Sequence, residues 1–538
     1  MSVDLEIENG LIVDGTGSPW YRSNLAIKND SIVAISPAPI RNARQTIDAN
    51  GLVVSPGFID MHSHSDLTLL AGTDAESKVR QGVTTEVVGN CGDSAAPLEG
   101  KAVEVAQSYA NEYGLKVSWS TLSQYMKRLE RQGLVLNVAC LIGHGTVRTC
   151  VMGFQNRAPT PAELRRMQDL VAACMRQGAF GISSGLFYVP GCYAKLDELV
   201  ALAREAAKFG GFYASHIRNE SDRLESAMLE AMAVGERAGI PVQPSHHKAC
   251  GKANWGKVKR TLRKIEAKRR NGLDVTVDVY PYTAYSTSLS AAIPPWAHEG
   301  GVDRLIERLR NPSIRRKLKD EMRRGGRDWE SMAKDASWDR FMISGFAEKP
   351  SLVGKTIQEI SEARRSDPYD AVFDMLIEGN AMVGVVVEDM NEQDVQFVPQ
   401  SPLSMIGSDG YSLSTSGRLG KGKPHPRSFG TFPRVLGRYV REKHVLRLED
   451  AVRKMTGFPA NKLGLRDRGL LRQGMKADIA IFDPSKITDT ATYLKPKSFP
   501  AGIEYVIING RITIAKGKYL RKLNGRVLRR SWAAGILE

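Results

Sequence analysis

Between residues 57 and 410 the chain repeatedly sets a short apolar run before a longer amphipathic one, and this alternation restricts its fold more than any other feature. Eight runs read as strands: 58–62, 83–89, 135–142, 179–183, 212–216, 242–246, 275–280 and 403–409. Helical patterns, as at 161–176, 196–208 and 220–238, separate most of them. Strands that alternate with helices build parallel sheets, because a parallel crossover needs the length of a helix. Eight such units fit an α/β fold of (β/α)8 TIM-barrel type, in which reacting groups stand at the C-terminal strand ends. Polar residues fall at those ends here. His62 and His64 close the first run and Cys91 follows the second. His144 follows the third, with Ser183 and Ser184 at the fourth. His216, His246, Tyr280 and Asp409 end the last four.

The two ends of the chain have a different texture. Residues 1–56 and 470–538 are rich in short β-type runs with turn signals such as Asn9-Gly10, Asn29-Asp30 and Asn509-Gly510. They are expected to form one small composite β-sandwich domain, 1–56 plus 470–538, around a barrel at 57–469. The alternation breaks once, after the seventh strand, where far more chain lies than a βα unit needs. Residues 287–350 are read there as an insertion, a lid over the catalytic face or else a peripheral decoration.

Composition excludes several classes. The opening residues have no basic region followed by an apolar one, so no signal peptide is expected. No apolar run approaches membrane-spanning length. Six cysteines without a Cys-x-x-Cys pair point away from a disulfide framework and towards the cytoplasm. The net charge of +16 could serve a polyanion. Its basic residues, however, are spread over 257–270, 304–324 and 516–530, and no aromatics interleave with them in a base-stacking pattern, so a solvated surface is the expectation and nucleic-acid binding is not.

Strand parity sharpens the candidate site. With period two, Asp60, His62 and His64 share a face. So do Phe212, Ala214, His216 and Arg218, and likewise Val242, Pro244, His246 and Lys248, with His247 opposite. On the seventh strand Thr276, Asp278 and Tyr280 face inward and Val275, Val277 and Val279 outward. Imidazole, thiolate and carboxylate together suit zinc. Cys91 lies in Gly89-Asn90-Cys91-Gly92, and a buried apolar thiol is its competing reading. His144, in Gly143-His144-Gly145, either orients a neighbour or lines the pocket. Asp409 is placed as a general base, with a helix cap as the alternative.

These residues carry a family resemblance. Pro56-Gly57-Phe58-Ile59-Asp60-Met61-His62-Ser63-His64 resembles the opening metal motif of the amidohydrolase superfamily. Gln81-Gly82-Val83-Thr84-Thr85, Gly89-Asn90-Cys91-Gly92, Gly181-Ile182-Ser183-Ser184-Gly185-Leu186, Ser245-His246-His247-Lys248, Tyr280-Pro281-Tyr282-Thr283 and Pro424-His425-Pro426-Arg427 together resemble the N-acyl-D-amino-acid deacylases, or D-aminoacylases. The resemblance runs from about Leu5 to about Gly510. It implies a zinc hydrolase that cleaves the amide of an N-acyl-D-amino acid into a carboxylic acid and a D-amino acid. It further implies a tight zinc site of Cys91, His216 and His246, and a weaker second site of His62 and His64 that shares Cys91. A carboxylated lysine bridges the metals in many superfamily members, and the fourth strand here offers no lysine. Asp409 would be the base, and Lys248, Tyr280, Ser286 and Arg427 would surround the substrate carboxylate. Tyr282 and Ser288 repeat the spacing and leave those two assignments open. The 410–426 loop is longer than in the best-known D-aminoacylases, which leaves side-chain specificity open. Two other readings compete: a cyclic-amide hydrolase of hydantoinase or dihydroorotase type, and a non-enzymatic basic scaffold.

Overall fold

Apolar alternation at the two ends of the chain resolves into a single sheet. In the computed structural model, which describes residues 3–40, 43–326, 329–334 and 336–530, Val3–Ile12 pairs with Tyr21–Lys28, Ala43–Asp48 and Val53–Pro56. Val53–Pro56 in turn pairs with Ile479–Phe482, and the sheet continues through Ile503–Ile508 and Arg511–Ala515 to Lys518–Tyr519. Its nine strands therefore come from both ends of the chain. Leu5, Ile7, Leu25, Ile27, Ile479, Ile481 and Ile507 pack together between them. Asn509-Gly510 makes the expected hairpin turn, both residues having positive φ (50° and 75°). Asn9-Gly10 does not. Val3–Ile12 is one continuous strand whose register shifts between Ile7 and Gly10, so Asn9, at φ 60°, forms a bulge instead of a turn. Residues 1, 2, 41, 42 and 531–538 of the expected second domain, and 327, 328 and 335 of the expected insertion, lie outside the described residues.

The eight apolar runs of the middle region pair in parallel and in chain order. Phe58–Asp60, Val83–Val88 and Asn137–Cys140 are neighbours, and Ile142–Gly143 carries the third run on to Gly181–Gly185, Phe212–His216 and Val242–Pro244. A bridge from Val242 to Val275 leads to Val277–Val279 and Ser404–Ile406, and a bridge from Gly410 to Ser63 returns to the first run. Ile59, Val87, Ala139, Phe180, Phe212, Ala214 and Met405 fill the inside of this ring. Val83, Val138, Ile182, Val242, Val277 and Ile406 face the helices. Helix Pro161–Arg176 shows why the helices start where they do. Thr160 and Glu163 form a reciprocal capping box, and Pro161 occupies the first turn, where its missing N–H costs nothing.

The insertion is larger than the expected 287–350. Ala284–Ser288, Val383–Glu388 and Phe341–Phe346 make their own antiparallel sheet, so the added structure spans 284–388. The apolar run at 383–387 belongs to the middle strand of that sheet, which is why the far boundary lies beyond 350. Helices Val302–Arg310, Pro312–Arg324, Ile357–Arg364 and Pro368–Glu378 cover it. Basic residues of one helix meet acidic residues of another, with Arg315 on Asp374 at 2.6 Å and Lys319 on Asp370 at 2.5 Å. Leu305, Leu309, Leu318, Phe373 and Leu376 form a separate core there. Leu376→Ala, at a fully buried position, should cost about 2–5 kcal/mol. The cost should appear as earlier melting or faster hydrogen exchange confined to 284–388. Unchanged protection there would refute an independent core. Among the described residues, no helix is long and apolar enough to cross a membrane.

Candidate metal centre and active site

Backbone geometry at the strand ends decides where the site forms. The first strand stops at Asp60. Alternation therefore does not carry through to His64, and Asp60 does not join the imidazoles as parity predicts. Its carboxylate turns to Lys78 and Ser408. A bend after Asp60 brings His62 and His64 edge to face, with ring centroids 5.3 Å apart. Cys91 follows the second strand between two glycines that must be glycines. A Cβ at Gly89 would stand 2.3 Å from the Leu141 carbonyl oxygen, and one at Gly92 2.4 Å from the Gly185 nitrogen. Cys91, His246 and Asp409 all hold left-handed backbone, at φ 53°, 35° and 52°. Such strain collects where function sets the geometry.

Two sets of potential ligand atoms result, each lying within 4.8 Å of one another: His62, His64, Cys91 and Asp409, and Cys91, His216 and His246. Cys91 Sγ lies 3.3 Å from His62 Nε2 and 3.4 Å from His246 Nε2. Tetrahedral zinc, with bonds of about 2.3 Å to sulfur and about 2.0 Å to nitrogen, requires S···N separations of about 3.5 Å. The donor atoms thus fit a shared ion. Asp409 Oδ1 lies 2.9 Å from His64 Nε2 and 3.4 Å from His62 Nε2.

The electrostatics agree with that fit. Burial pushes the Cys91 thiol up, but His62 and His246 overcome it and hold the thiol well below its usual range. Burial likewise opposes ionisation of Asp409, and Arg427, His246 and His62 outweigh it, so the carboxyl sits well below the usual carboxylate range. A thiolate and a carboxylate side by side among imidazoles demand positive charge. A divalent cation meets that demand.

A second layer orients these donors, and sequence reasoning did not assign it. Asp278 Oδ1 lies 3.2 Å from His62 Nδ1 and accepts the His246 N–H at 2.8 Å. Glu220 Oε1 lies 3.0 Å from His246 Nδ1, and Glu220 Oε2 takes Lys248 Nζ at 2.6 Å. A carboxylate behind a ligating imidazole fixes its tautomer and orientation. The inward parity of Asp278 was the available signal for that residue. Glu220 leaves only a weak trace, four residues after His216. His247 turns away to Thr261 at 2.9 Å, as parity expects.

The substrate-side candidates divide. Arg427 Nη1 pairs with Asp409 Oδ2 at 2.7 Å, and its guanidinium lies 4.8 Å from the centre of the Tyr280 ring. Lys248 Nζ lies 5.8 Å from the same ring. Arg427 Nη2 donates to the Ser286 carbonyl at 3.4 Å. Tyr282 instead packs on His425 and lies under Arg434, while the Ser288 hydroxyl caps the turn at 289–292. Tyr280 and Ser286, and not their repeats, are therefore brought to Arg427. The sequence leaves His144 either orienting a neighbour or lining the pocket. This residue opens helix His144–Met152, and its Nε2 lies 2.9 Å from Glu198 Oε1, with Arg148 on the other oxygen. This buried pair holds the ring against helix Leu196–Ala207 and outside the donor cluster.

The amidohydrolase family model matches residues 45–514. A D-aminoacylase of Alcaligenes xylosoxydans xylosoxydans is 35% identical over 530 residues, covering 98% of each chain. An N-acyl-D-glutamate deacylase of the same organism is 37% identical over 530 residues, covering 98% of this chain and 97% of its own. The crystal structure of N-acyl-D-glutamate deacylase from Bordetella bronchiseptica, complexed with zinc and a phosphonate that mimics the tetrahedral intermediate, aligns with a TM-score of 0.81 at 35% identity, covering 98% of this chain and 100% of that one. With its metal-type donor cluster and these likenesses over nearly its whole length, the chain belongs to the D-aminoacylase family of the amidohydrolases.

Proposed function

We propose that this protein is a zinc-dependent amidohydrolase that cleaves N-acyl-D-amino acids to a carboxylic acid and a D-amino acid. The observation that carries the reading is the position of Arg427, a buried guanidinium held 2.7 Å from the carboxylate that touches the imidazole cluster. Such a fork suits a substrate α-carboxylate. The relatives named D-aminoacylase and N-acyl-D-glutamate deacylase support the substrate class and its hand. The scaffold is read as a (β/α)8 barrel at 57–469, supported by the parallel pairings that return from Gly410 to Ser63. The nine-stranded sheet is read as a composite β-sandwich of 1–56 and 470–538. Ile32 N–H on the Met475 carbonyl at 2.8 Å, which folds the sheet back on itself, supports this. The insertion is read as a lid, because Glu330 accepts the Glu220 N–H at 2.6 Å and Thr287 meets Tyr188 at 3.1 Å.

Cys91, His216 and His246 would hold one zinc ion tightly, and His62 and His64, sharing Cys91, a second more weakly. When bound, zinc supplies Lewis acidity that favours ionisation of a water and polarises the amide carbonyl. Asp409 takes the proton of the attacking water and then delivers it to the leaving nitrogen. Arg427 pairs the α-carboxylate, with Tyr280, Lys248 and the Ser286 segment around it. Arg427 has enough donors to hold both that carboxylate and Asp409. Asp278 and Glu220 keep the imidazoles oriented.

Carboxylate, carbonyl and side chain fix three points about the α-carbon, so one enantiomer is accepted. Paired D and L series of N-acetyl amino acids, assayed beside dihydroorotate and a hydantoin, test the reading. Arg427→Ala should lower kcat/KM for the D substrates about 30-fold or more, as expected for truncating a buried charged hydrogen bond. Arg427→Lys should rescue poorly, since an ammonium has no planar fork. Preference for a cyclic amide, with that activity intact in Arg427→Ala, would replace the deacylase reading with a hydantoinase-like one.

A further inference from the structure

Beneath the donor cluster lies a fully buried ion pair that the mechanism above does not use. Lys78 Nζ donates to Asp60 Oδ2 at 2.6 Å, and neither side chain is exposed. Taking two charges out of water is costly unless further hydrogen bonds complete their shells. Here they do. Asp60 Oδ1 accepts the N–H of His62 at 3.3 Å and the N–H of Ser408 at 2.8 Å. Asp60 Oδ2 accepts the Ser408 hydroxyl at 2.6 Å. That hydroxyl oxygen in turn accepts from Lys78 Nζ and from the Gly410 N–H, the latter at 3.0 Å.

One carboxylate therefore ties together the exits of the first and eighth strands. These exits carry the two halves of the site: His62 and His64 on one, Asp409 on the other. Asp409 sits between Ser408 and Gly410, which the Ser408 hydroxyl joins by accepting the Gly410 N–H, and its own N–H donates to the His62 carbonyl at 2.8 Å. Its φ of 52° is one that an aspartate adopts at a cost, so the surroundings must impose it. The next layer repeats the device. Glu86 accepts the hydroxyls of Ser65, from the first exit, and Ser412, from the eighth, at 2.8 and 2.7 Å.

We propose that Lys78, with Asp60 and Ser408, is a positioning residue for the hydrolysis. The clasp fixes Asp409 against His62 and His64, and it governs turnover rather than substrate affinity or metal retention. The inference rests on Asp409 as the proton carrier. Misplacement of a reacting group by about 1 Å can cost about 10²-fold in rate.

Ser408→Ala removes the hydroxyl's part of the clasp and keeps the ion pair and the backbone N–H on Asp60. Its kcat should fall about tenfold or more, while KM, zinc content and melting temperature stay near wild type. Ser408→Thr, which keeps the hydroxyl, should recover most of the loss. Lys78→Met should lower kcat further, and if it does not fold, Ser408→Ala decides alone. Unchanged kcat in Ser408→Ala overturns the proposal, as does a fall that merely follows loss of zinc. Asp409→Asn, assayed in parallel, separates the two claims. Full turnover there sinks the proton-carrier assignment itself, whereas a dead Asp409→Asn beside an unimpaired Ser408→Ala sinks only the positioning role.

Discussion

Cys91→Ala should lose most of its zinc, and hydrolysis with it. Cys91 is the one residue common to both sets of donor atoms. Its thiolate is also the strongest zinc donor in the pocket, and a thiolate cannot be replaced by a neighbour at this distance. Removing a group that merely supports a ligand typically costs about 10–100-fold in metal affinity, so removing the shared ligand should cost more. His216→Ala should behave like Cys91→Ala. His62→Ala should keep more of the metal and still damage activity, because His62 belongs to the set proposed to bind more weakly and lies 3.4 Å from Asp409. Metal analysis of the purified variants, with a chelator titration of the wild type, checks this order. Full zinc in Cys91→Ala would return Cys91 to the buried-thiol reading.

Much of the site was legible because β-strands impose a period on their side chains. The inward set of Asp278 and the outward set of Val275, Val277 and Val279 stand where alternation puts them, with the valines in the helix-facing core. The choice of His246 over His247 is supported in the same way by the Cys91–His246 contact. Parity failed where the strand ended. Beyond Asp60 the chain bends, so a rule about strands said nothing valid about His62 and His64. The Asn9-Gly10 signal misled for a related reason: positive φ suits a bulge as well as a turn, and only the partner strand decides between them. Lys78 and the Glu198 that captures His144 were invisible, and Glu220 nearly so, because their roles arise from side chains meeting across separate elements. The 284–388 insertion showed only as surplus length, since its antiparallel sheet brings together strands about a hundred residues apart.

Asp409→Asn should lower kcat by at least about 10²-fold, the usual contribution of a positioned acid–base group. The substitution preserves shape and one acceptor but can neither take a proton from water nor return it to nitrogen. Its effect on KM has a sign that the geometry fixes. In the wild type Asp409 Oδ2 neutralises Arg427 at 2.7 Å inside a buried pocket. An amide leaves that guanidinium without its anion, and a buried charge without a partner is costly. A substrate carboxylate relieves the cost, so KM for an N-acyl-D-amino acid should stay level or fall while kcat collapses. A neutral cyclic amide brings no such anion, and its KM should not improve. Steady-state kinetics on both substrates, with zinc content measured alongside, tests the pattern. Near-normal turnover would make Asp409 a structural residue and assign the proton transfer to another group. A rise in KM for the D substrate alone would instead mean that Asp409 holds Arg427 in its binding position, and that the two act as one unit towards the substrate.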